Sequence, residues 1–392
     1  MPGSLTRQLP GLLLAAAVLP ALVTSCSHRD ETPAPSSDAS PSEATAAAPP
    51  VDPVCERLSA LPLRDKLAQL VMVGVRDAAD ARAVVTDHHV GGIFIGSWTE
   101  LSMLTDGSLK EIAGTGGLLP LAVSVDEEGG RVSRLSSLIG KSPSAKELAQ
   151  SSSAAQVREL AAERGRKMAD LGITVDFAPV VDVVDSDTDD DTVIGDRSFG
   201  SDPAKVTEYA GAYAQGLRDA GLLPVLKHFP GHGHGSGDSH TAGAVVTPPL
   251  AQLQDNDLVP YRTLVTQAPV AVMMGHLEVP GLTEDPASLS PAAVELLRTG
   301  TDYHGPAFDG PVFSDDLSSM AAITEHYGVA EAVLRSLRAG VDIALWVTTD
   351  EVPAVLDRLE QAVSAGELKQ EAVEASLARV AAVKKPGTRC HG

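Results

Sequence analysis

Short, unbroken runs of apolar residues recur along positions 55–390, and most are separated by stretches in which apolar residues recur with helical spacing. Apolar runs of this length, rich in Val, Ile and Leu, are typical of strands that are buried on both faces of a parallel sheet. We therefore predict strands over Leu70–Val75, Gly92–Ile95, Leu119–Val125, Ile173–Val184, Leu222–Leu226, Val270–Met274, Pro311–Phe313 and Val341–Trp346.

Helix signals lie between most of these runs. The clearest helix has Asp202 as its N-cap, Pro203 as its first residue and Gly221 at its end. A second, over about residues 157–171, directs an apolar face inward and charged residues, Arg164 among them, outward.

Eight strands that alternate with helices predict an α/β fold, a single-domain (β/α)8 TIM-type barrel over residues 54–392. The active site of such a barrel lies at the carboxyl ends of its strands. A doubly wound open sheet would give a similar pattern, but no GxGxxG motif follows an early strand to favour it. We expect a monomer.

The first residues have the pattern of an export signal. Arg7 precedes an apolar stretch, Gly11–Val23, that is too short and too interrupted by proline to span a bilayer comfortably. Small residues then precede Cys26, as in bacterial lipoprotein signals, in which this thiol is alkylated with lipid. We predict a lipoprotein signal peptide over residues 1–25 and lipidation of Cys26; an ordinary secretory signal is the alternative.

Residues 26–53 are rich in Pro, Ser and Ala and have almost no large apolar side chains. Such a segment cannot bury enough surface to offset the entropy lost on ordering. We predict a disordered tether that holds the domain at the outer face of the cell membrane, with the lipid on Cys26 as its membrane contact.

Composition narrows the classes of partner. The formal net charge is −22, which repels the phosphates of nucleic acids and anionic lipid surfaces. Aromatic residues make up 3% of the chain, too few for a platform that stacks nucleotide bases. We therefore expect no nucleic-acid partner, and a small-molecule substrate instead.

The sequence contains three cysteines, Cys26, Cys55 and Cys390. If Cys26 carries lipid, the other two lie at opposite ends of the predicted domain. Exported proteins fold in an oxidising compartment, and the termini of a domain often lie close together. We predict a disulfide between Cys55 and Cys390; two free buried thiols are the alternative.

Polar clusters follow four of the predicted strands. Any one of them is compatible with a solvated loop, but four on the predicted catalytic rim indicate a site. The clusters lie at Asp126–Arg134, Ile194–Phe199, Lys227–His240 and Ser314–Leu317.

The third cluster ends in a loop with glycine at every second position from 231 to 237. Glycine leaves the backbone free to move, so the loop has the character of a lid. Asp238 and His240 are two positions apart, and an extended segment directs both side chains to the same side. A carboxylate beside a histidine fixes its tautomer, which indicates an acid/base pair.

Two other interpretations of this loop are weaker. His232, His234 and His240 are potential zinc ligands, but Ser236 stands where the metallo-hydrolase HxHxDH spacing requires Asp. No GxSxG motif frames a serine nucleophile. The acidic stretch Asp185–Asp191 also lacks the glycine of an EF-hand, so we interpret it as a solvated rim loop. We expect no metal and no other cofactor.

Several motifs occur in an order that resembles the family-three glycoside hydrolases, in particular the single-domain bacterial β-N-acetylglucosaminidases that trim peptidoglycan fragments. The similarity extends over about residues 55–385 and rests on VDEEGGRVSRL, KHFPGHG, DSH and FSDDL. Glu127 stands where relatives often carry Gln, a mild departure.

The resemblance implies that Asp315 is the nucleophile, that His240 is the acid/base and that Asp238 orients it. It also implies a group of residues that bind the sugar, namely Asp126, Arg134, Arg197, Lys227 and His228. Asp316 is the alternative nucleophile. Ion pairs at the barrel end are the alternative role for Asp126, Glu127 and Arg131. The alternative role for Arg197 is pairing with the acidic loop.

The implied activity is hydrolysis of terminal, non-reducing β-linked N-acetylglucosamine from a small sugar or muropeptide, through a covalent glycosyl-enzyme. A retaining glycosidase needs a carboxylate that attacks C1 and a group that donates a proton to the leaving oxygen. Three alternatives stay open: phosphorolysis of the same bond, another β-glycoside as substrate, and a lipoprotein that binds sugar without turnover.

Overall fold

The computed structural model describes residues 52–241 and 243–390. The predicted signal peptide, Cys26 and the tether up to residue 51 lie outside the described residues. The first helix begins at Pro53, and the side chain of Asp52 caps it by accepting from the backbone N–H of Val54.

Eight parallel strands form one sheet in the order β10-β1-β2-β3-β6-β7-β8-β9, and a parallel bridge between Phe313 and Ile343 joins its two edges. The sheet therefore closes, and the prediction of a (β/α)8 barrel is confirmed. Two further strands, β4 and β5, form a small antiparallel sheet after β3. The strands are β1 Val71–Val75, β2 Gly92–Ile95, β3 Ala122–Val125, β4 Glu127–Gly129, β5 Val132–Ser133, β6 Val175–Asp176, β7 Leu223–Phe229, β8 Ala271–Met274, β9 Val312–Ser314 and β10 Ala344–Trp346.

The long apolar run Ile173–Val184 does not form one strand. β6 covers two of its residues, after which the chain continues beside β7 with one isolated bridge, between Val180 and Lys227. Pro179 has no N–H to donate, so it interrupts the regular ladder. This irregular segment carries the chain from β6 to the barrel rim.

Helices surround the barrel. In α8, Asp202 caps the first turn and Pro203 is the first residue, as predicted. In α7, Arg164 is buried and bonded to Glu127 (Nη2–Oε1 2.6 Å), so its predicted outward orientation is wrong. The helices are α1 Pro53–Ser59, α2 Leu63–Ala68, α3 Ala78–His88, α4 Ser108–Gly114, α5 Ser136–Ile139, α6 Ala145–Ser151, α7 Ala154–Asp170, α8 Pro203–Asp219, α9 Leu250–Asp255, α10 Val259–Leu264, α11 Pro291–Thr299, α12 Ala321–Thr324, α13 Val329–Ala339, α14 Val352–Ser364 and α15 Gln370–Lys384.

Three phenylalanines fill part of the barrel interior. Phe94, Phe177 and Phe313 belong to segments that are not neighbours in the sheet, yet their ring centroids lie 5.7 and 5.5 Å apart in succession. The rings therefore meet across the barrel, as side chains do in the packed centre of this fold. Phe313 lies two residues before Asp315, so this packing also supports the predicted site.

The ends of the domain are joined by a disulfide between Cys55 of α1 and Cys390, which confirms the predicted pairing. Within the described residues, no helix is both long and apolar enough to cross a membrane.

Candidate active site

The barrel brings most of the predicted site residues to one end. Asp126 directly follows β3, Lys227 and His228 lie near the end of β7, and Asp315 directly follows β9, the seventh barrel strand. Because all eight strands are parallel, these side chains converge at the carboxyl face of the barrel.

A network of ion pairs connects Asp126 and Lys227 to Glu128 and Arg197. Lys227 Nζ lies 2.6 Å from both Asp126 Oδ1 and Glu128 Oε1. Glu128 also accepts two bonds from Arg197, from Nε at 2.8 Å and from Nη2 at 2.9 Å. Burial alone would raise the pKa of Glu128, but the charges of Arg197 and Lys227 outweigh burial and hold it far below its usual range. The cations are thus fixed in place by paired anions.

Glu128 was not among the predicted site residues. It lies within the quoted VDEEGGRVSRL motif, but nothing in the order of residues distinguishes it from its neighbour Glu127. The structure distinguishes the two glutamates. Glu127 is completely buried, and its carboxylate bonds to Arg164, Ser133 and the backbone N–H of Leu135, away from the pocket. Glu127 therefore has the structural role that was the alternative for it.

Asp182 is a second carboxylate that sequence reasoning missed. It is completely buried and accepts from His228 Nδ1 (2.7 Å) and from the backbone N–H groups of His228 (3.2 Å) and His232 (2.7 Å). Burial would raise its pKa, but the neighbouring histidines and these N–H groups lower it. The aspartates inside the apolar run Ile173–Val184, Asp176 and Asp182, were the available signal, since a buried carboxylate requires partners.

The Asp182 contact leaves His228 Nε2 as the ring nitrogen that faces the pocket, 3.4 Å from Arg197 Nη2. The structure thus brings together Asp126, Arg197, Lys227 and His228 of the predicted sugar-binding group.

Arg134 lies nearby on the segment that follows β5. Its Nε is buried and has no hydrogen-bond partner among the described residues. Arg131 instead pairs with Asp196 at 2.9 Å and donates to the carbonyl oxygen of Ile194, so it holds the rim loop.

Asp315 is partly accessible, whereas Asp316 is turned away from the pocket. Burial would raise the pKa of Asp315, but its electrostatic interactions with His228 and His276 and the hydrogen bond from the backbone N–H of Asp316 lower it to about 2. The carboxylate of Asp316 accepts from the backbone N–H and the hydroxyl of both Ser318 and Ser319, and thereby caps the following turn. This geometry favours Asp315 over Asp316 as the reactive carboxylate.

His276 contacts the backbone of the same loop. Sequence reasoning did not predict this residue. It is buried, its Nε2 donates to the carbonyl oxygen of Asp316 at 2.7 Å, and Ser288 Oγ lies 2.6 Å from its Nδ1. Both ring nitrogens are therefore occupied, which fixes the backbone that carries Asp315. A histidine two residues after the apolar strand β8 was the signal in the sequence.

The two residues predicted as an acid/base pair, His240 and Asp238, are in contact. His240 Nδ1 lies 2.7 Å from Asp238 Oδ1, and the two side chains are 59% and 40% exposed. No hydrogen bond joins His240 to Asp315 in the parts of the chain that the structure describes. The loop is attached to α12, where the N–H groups of Ala321 and Ala322 donate to the carbonyl oxygens of His240 and Ser239.

The three histidines that were considered as zinc ligands have separate partners. His232 Nε2 lies 3.3 Å from Ser239 Oγ, while His234 Nδ1 lies 2.9 Å from Asp257 Oδ1. Across residues 52–241 and 243–390, no three His, Cys, Asp or Glu side chains are grouped as metal ligands. In the acidic rim loop, Asp190 pairs with Lys146 at 2.5 Å.

A closed parallel barrel with a charge-paired pocket and an ionised, accessible carboxylate at the carboxyl ends of its strands defines a (β/α)8-barrel enzyme. The family profile described as Glycosyl hydrolase family 3 N terminal domain matches residues 62–383. The chain therefore belongs to glycosyl hydrolase family 3, and it is a glycosidase.

Three known proteins that are similar to this chain support the family assignment. Over 387 residues the chain is 66% identical to Beta-hexosaminidase LpqI of Mycobacterium tuberculosis, which covers 97% of this chain and 99% of that protein. A solved structure of a family-three glycosyl hydrolase from Mycobacterium smegmatis has a TM-score of 0.82 at 72% identity, covering 84% of this chain and 99% of that one. The structure of a family-three β-N-acetylglucosaminidase from a Paenibacillus species matches with a TM-score of 0.76 at 34% identity. This match covers 83% of this chain and 62% of that one.

Proposed function

We propose that this chain is a retaining β-N-acetylglucosaminidase that removes terminal, non-reducing N-acetylglucosamine from peptidoglycan fragments. The main support for the proposal is the position and ionisation of Asp315. Its carboxylate is accessible, it lies at the end of the seventh barrel strand, and its pKa is lowered to about 2. The names of relatives at 66% and 34% identity support the amino-sugar specificity.

In the first step, an oxygen of Asp315 forms an ester with C1 of the sugar while the bond from C1 to the leaving oxygen breaks. A carboxylate that is ionised at neutral pH is ready for this attack. His276 and the cap formed by Asp316 hold the backbone of the loop, so the nucleophile is positioned before substrate binds.

His240 acts as the acid in the first step and as the base in the second. Its Nδ1 is engaged by Asp238, so Nε2 is the nitrogen that donates a proton to the leaving oxygen. In the second step the neutral imidazole takes a proton from water, the water oxygen bonds to C1, and Asp315 is released.

The charge-paired pocket fixes the sugar. Lys227 and Arg197 present donors, and Asp126 and the Nε2 of His228 present acceptors, to the hydroxyl and acetamido groups. Arg134 Nε, which has no partner among the described residues, adds a further donor. A pocket that is already paired and rigid loses little entropy when it binds a sugar.

The peptidoglycan substrate and the location are part of the same proposal. We infer an exported enzyme that is anchored at the outer face of the cell membrane by lipid on Cys26. The support is the signal-like pattern of residues 1–26 and the disulfide between Cys55 and Cys390, a bond typical of oxidising compartments.

The test is to trap the covalent intermediate. A slow fluorinated N-acetylglucosaminide should label the peptide that contains Asp315, and Asp315→Asn should lower kcat/KM for an aryl N-acetylglucosaminide by at least about 10³-fold. The matched control is Asp316→Asn, which should still be labelled. A label elsewhere in the protein, or full turnover by Asp315→Asn, would refute the nucleophile.

Two further measurements separate the alternatives. Product analysis with and without phosphate distinguishes free N-acetylglucosamine from its 1-phosphate. A panel of aryl glycosides tests the sugar specificity, and a disaccharide muropeptide tests the natural leaving group.

A further inference from the structure

Trp98 is an exposed aromatic side chain at the catalytic end of the barrel. The sequence has two tryptophans; Trp346 is completely buried, whereas Trp98 is 44% exposed. Trp98 follows the carboxyl end of β2, so it lies on the same face of the barrel as Asp315. An exposed indole at a catalytic rim requires an explanation, because burial of its large apolar surface would be favourable.

The indole is held in a defined position. Its ring lies over Gly96, where an added Cβ would come within 2.4 Å of the ring, and it meets Phe94 edge to face at 5.9 Å between centroids. Thr99, which is buried, ties this turn to β1: its hydroxyl donates to the carbonyl oxygen of Val75 and accepts from the N–H of Gly96. Trp98 is therefore a fixed surface that the fold presents to solvent.

A cavity of about 410 Å³ lies beside the indole, between Trp98, Arg76 and the segment Val347–Asp350. The charge of Arg76 is already paired, with Asp80 at 2.9 Å and Asp350 at 3.5 Å. The cavity thus combines an apolar aromatic wall with polar groups whose charges are balanced. It suits an uncharged, hydroxylated ring better than an ion.

The cavity adjoins the loop that carries Asp315. The N–H of Val347 donates to Ser318 Oγ at 3.0 Å, and Ser318 belongs to the turn that Asp316 caps. The cavity is lined from the ends of β10, β1 and β2, whereas Asp126 and Lys227 stand at the ends of β3 and β7. A sugar held by those two residues with its C1 at Asp315 leaves the β10-β1-β2 side of the barrel end free for its leaving group.

We propose that Trp98 and the segment Val347–Asp350 bind the second sugar of the substrate, the one that leaves. Its pyranose ring stacks the C–H bonds of one face on the indole, while its hydroxyls reach the polar wall of the cavity. The inference rests on the proposed function, because it assigns the leaving-group side of that same site. It identifies the substrates as glycosides in which another sugar ring follows the N-acetylglucosamine.

The test compares two substrates that differ in the leaving group. N,N′-diacetylchitobiose fills the cavity with a sugar ring, whereas β-N-acetylglucosaminyl fluoride places no ring there. For Trp98→Ala, we expect kcat/KM for the disaccharide to fall about tenfold more than kcat/KM for the fluoride. Trp98→Tyr, which keeps an aromatic face, should recover most of the difference.

The matched control is Leu138→Ala, which removes another exposed apolar side chain from outside the cavity and should leave the ratio of the two rates unchanged. Thermal melts of each variant verify that it is folded. An equal decrease on both substrates would overturn the inference.

Failure of the proposed function gives a different result. In that case the unmodified enzyme releases N-acetylglucosamine from neither substrate, and the inference falls with it. If the unmodified enzyme cleaves both and Trp98→Ala leaves their ratio unchanged, the proposed function stands and the leaving-group site is refuted.

Discussion

Two completely buried aspartates occupy opposite ends of the barrel. Asp182 lies beside the carboxyl end of β7 and holds His228, whereas Asp342 precedes β10 and pairs with Arg298 (2.5 Å) and Arg379 (3.3 Å). Each is a buried charge with several partners, so the loss of either charge costs stability. They differ in what they hold, because only Asp182 contacts a predicted sugar-binding residue.

This contrast yields a prediction about Asp182→Asn. The amide no longer attracts the Nδ1 proton of His228 as a carboxylate does, so the tautomer and orientation of the ring are less well fixed. We expect kcat/KM to fall at least about tenfold, mostly through KM. Asp342→Asn should lower the melting temperature but leave KM unchanged. Equal kinetic effects of the two variants would argue for a purely structural role of Asp182.

His232 gives a prediction about stability and pH. Burial, and to a lesser extent the neighbouring imidazole of His228, lower the pKa of His232 to about 4, so the folded protein keeps this imidazole neutral. The unfolded chain protonates it near pH 6.5, so the unfolded state binds more protons between pH 6.5 and 4, and stability falls as the pH falls through that window.

Denaturant unfolding at pH 7 and pH 5 measures this effect. The unmodified protein should lose about 2 kcal/mol more of its free energy of unfolding over that interval than His232→Gln, which cannot titrate. Identical pH dependence of the two proteins would show that His232 is not the group responsible.

The loop from Gly231 to Thr241 is the element on which the acid/base depends. Its glycines were interpreted as the source of a mobile lid, but Gly233 also has a packing role, since an added Cβ would lie 1.8 Å from the carbonyl oxygen of Val183. The loop is attached at Ser239, a buried residue within hydrogen-bond distance of His232 and bonded through its carbonyl to Ala322. The first half of the loop is therefore packed, and Ser239 restrains the part that carries His240.

Removal of the Ser239 hydroxyl should loosen this part of the loop. For Ser239→Ala we expect kcat to fall severalfold, with faster hydrogen exchange confined to residues 236–241. The matched control is Ser236→Ala, which removes an exposed hydroxyl of the same loop that accepts from the N–H of Val246. If Ser236→Ala changed kcat as much as Ser239→Ala, the attachment at Ser239 would have no special role.

For the molecule as a whole, the disulfide joins two positions that are 335 residues apart, on the first helix and next to the end of the chain. α15 ends at Lys384, whose Nζ donates to the carbonyl oxygen of Gly91 just before β2. The bridge thus lies toward the amino ends of the strands, away from Asp315. A bond that closes such a long loop mainly restricts the unfolded chain.

Replacement of Cys55 and Cys390 by serine should therefore lower the free energy of unfolding by about 2–4 kcal/mol while leaving kcat/KM at 25 °C unchanged. Thermal melts with and without reductant provide the measurement. The double variant should be insensitive to reductant, whereas the unmodified protein should melt lower when reduced. A large loss of activity in the folded double variant would contradict the separation of bridge and site.

The sequence alone determined the barrel and most of the predicted site. Apolar runs, helix caps and polar residues at strand ends are local patterns, and once the strands are known to be parallel, Asp126, Lys227, His228 and Asp315 must share one face. The pairing of Cys55 with Cys390 followed in the same way from the compartment and from the closeness of domain termini.

The tertiary structure decided which polar groups support others. Asp182 is 46 positions from His228, and the Nε2 of His276 meets a carbonyl 40 positions away. Likewise, the outward pattern of α7 gave no sign that Arg164 is buried against Glu127. A buried charge or ring nitrogen takes the partner that the order of strands brings near, and that proximity does not exist until the barrel closes.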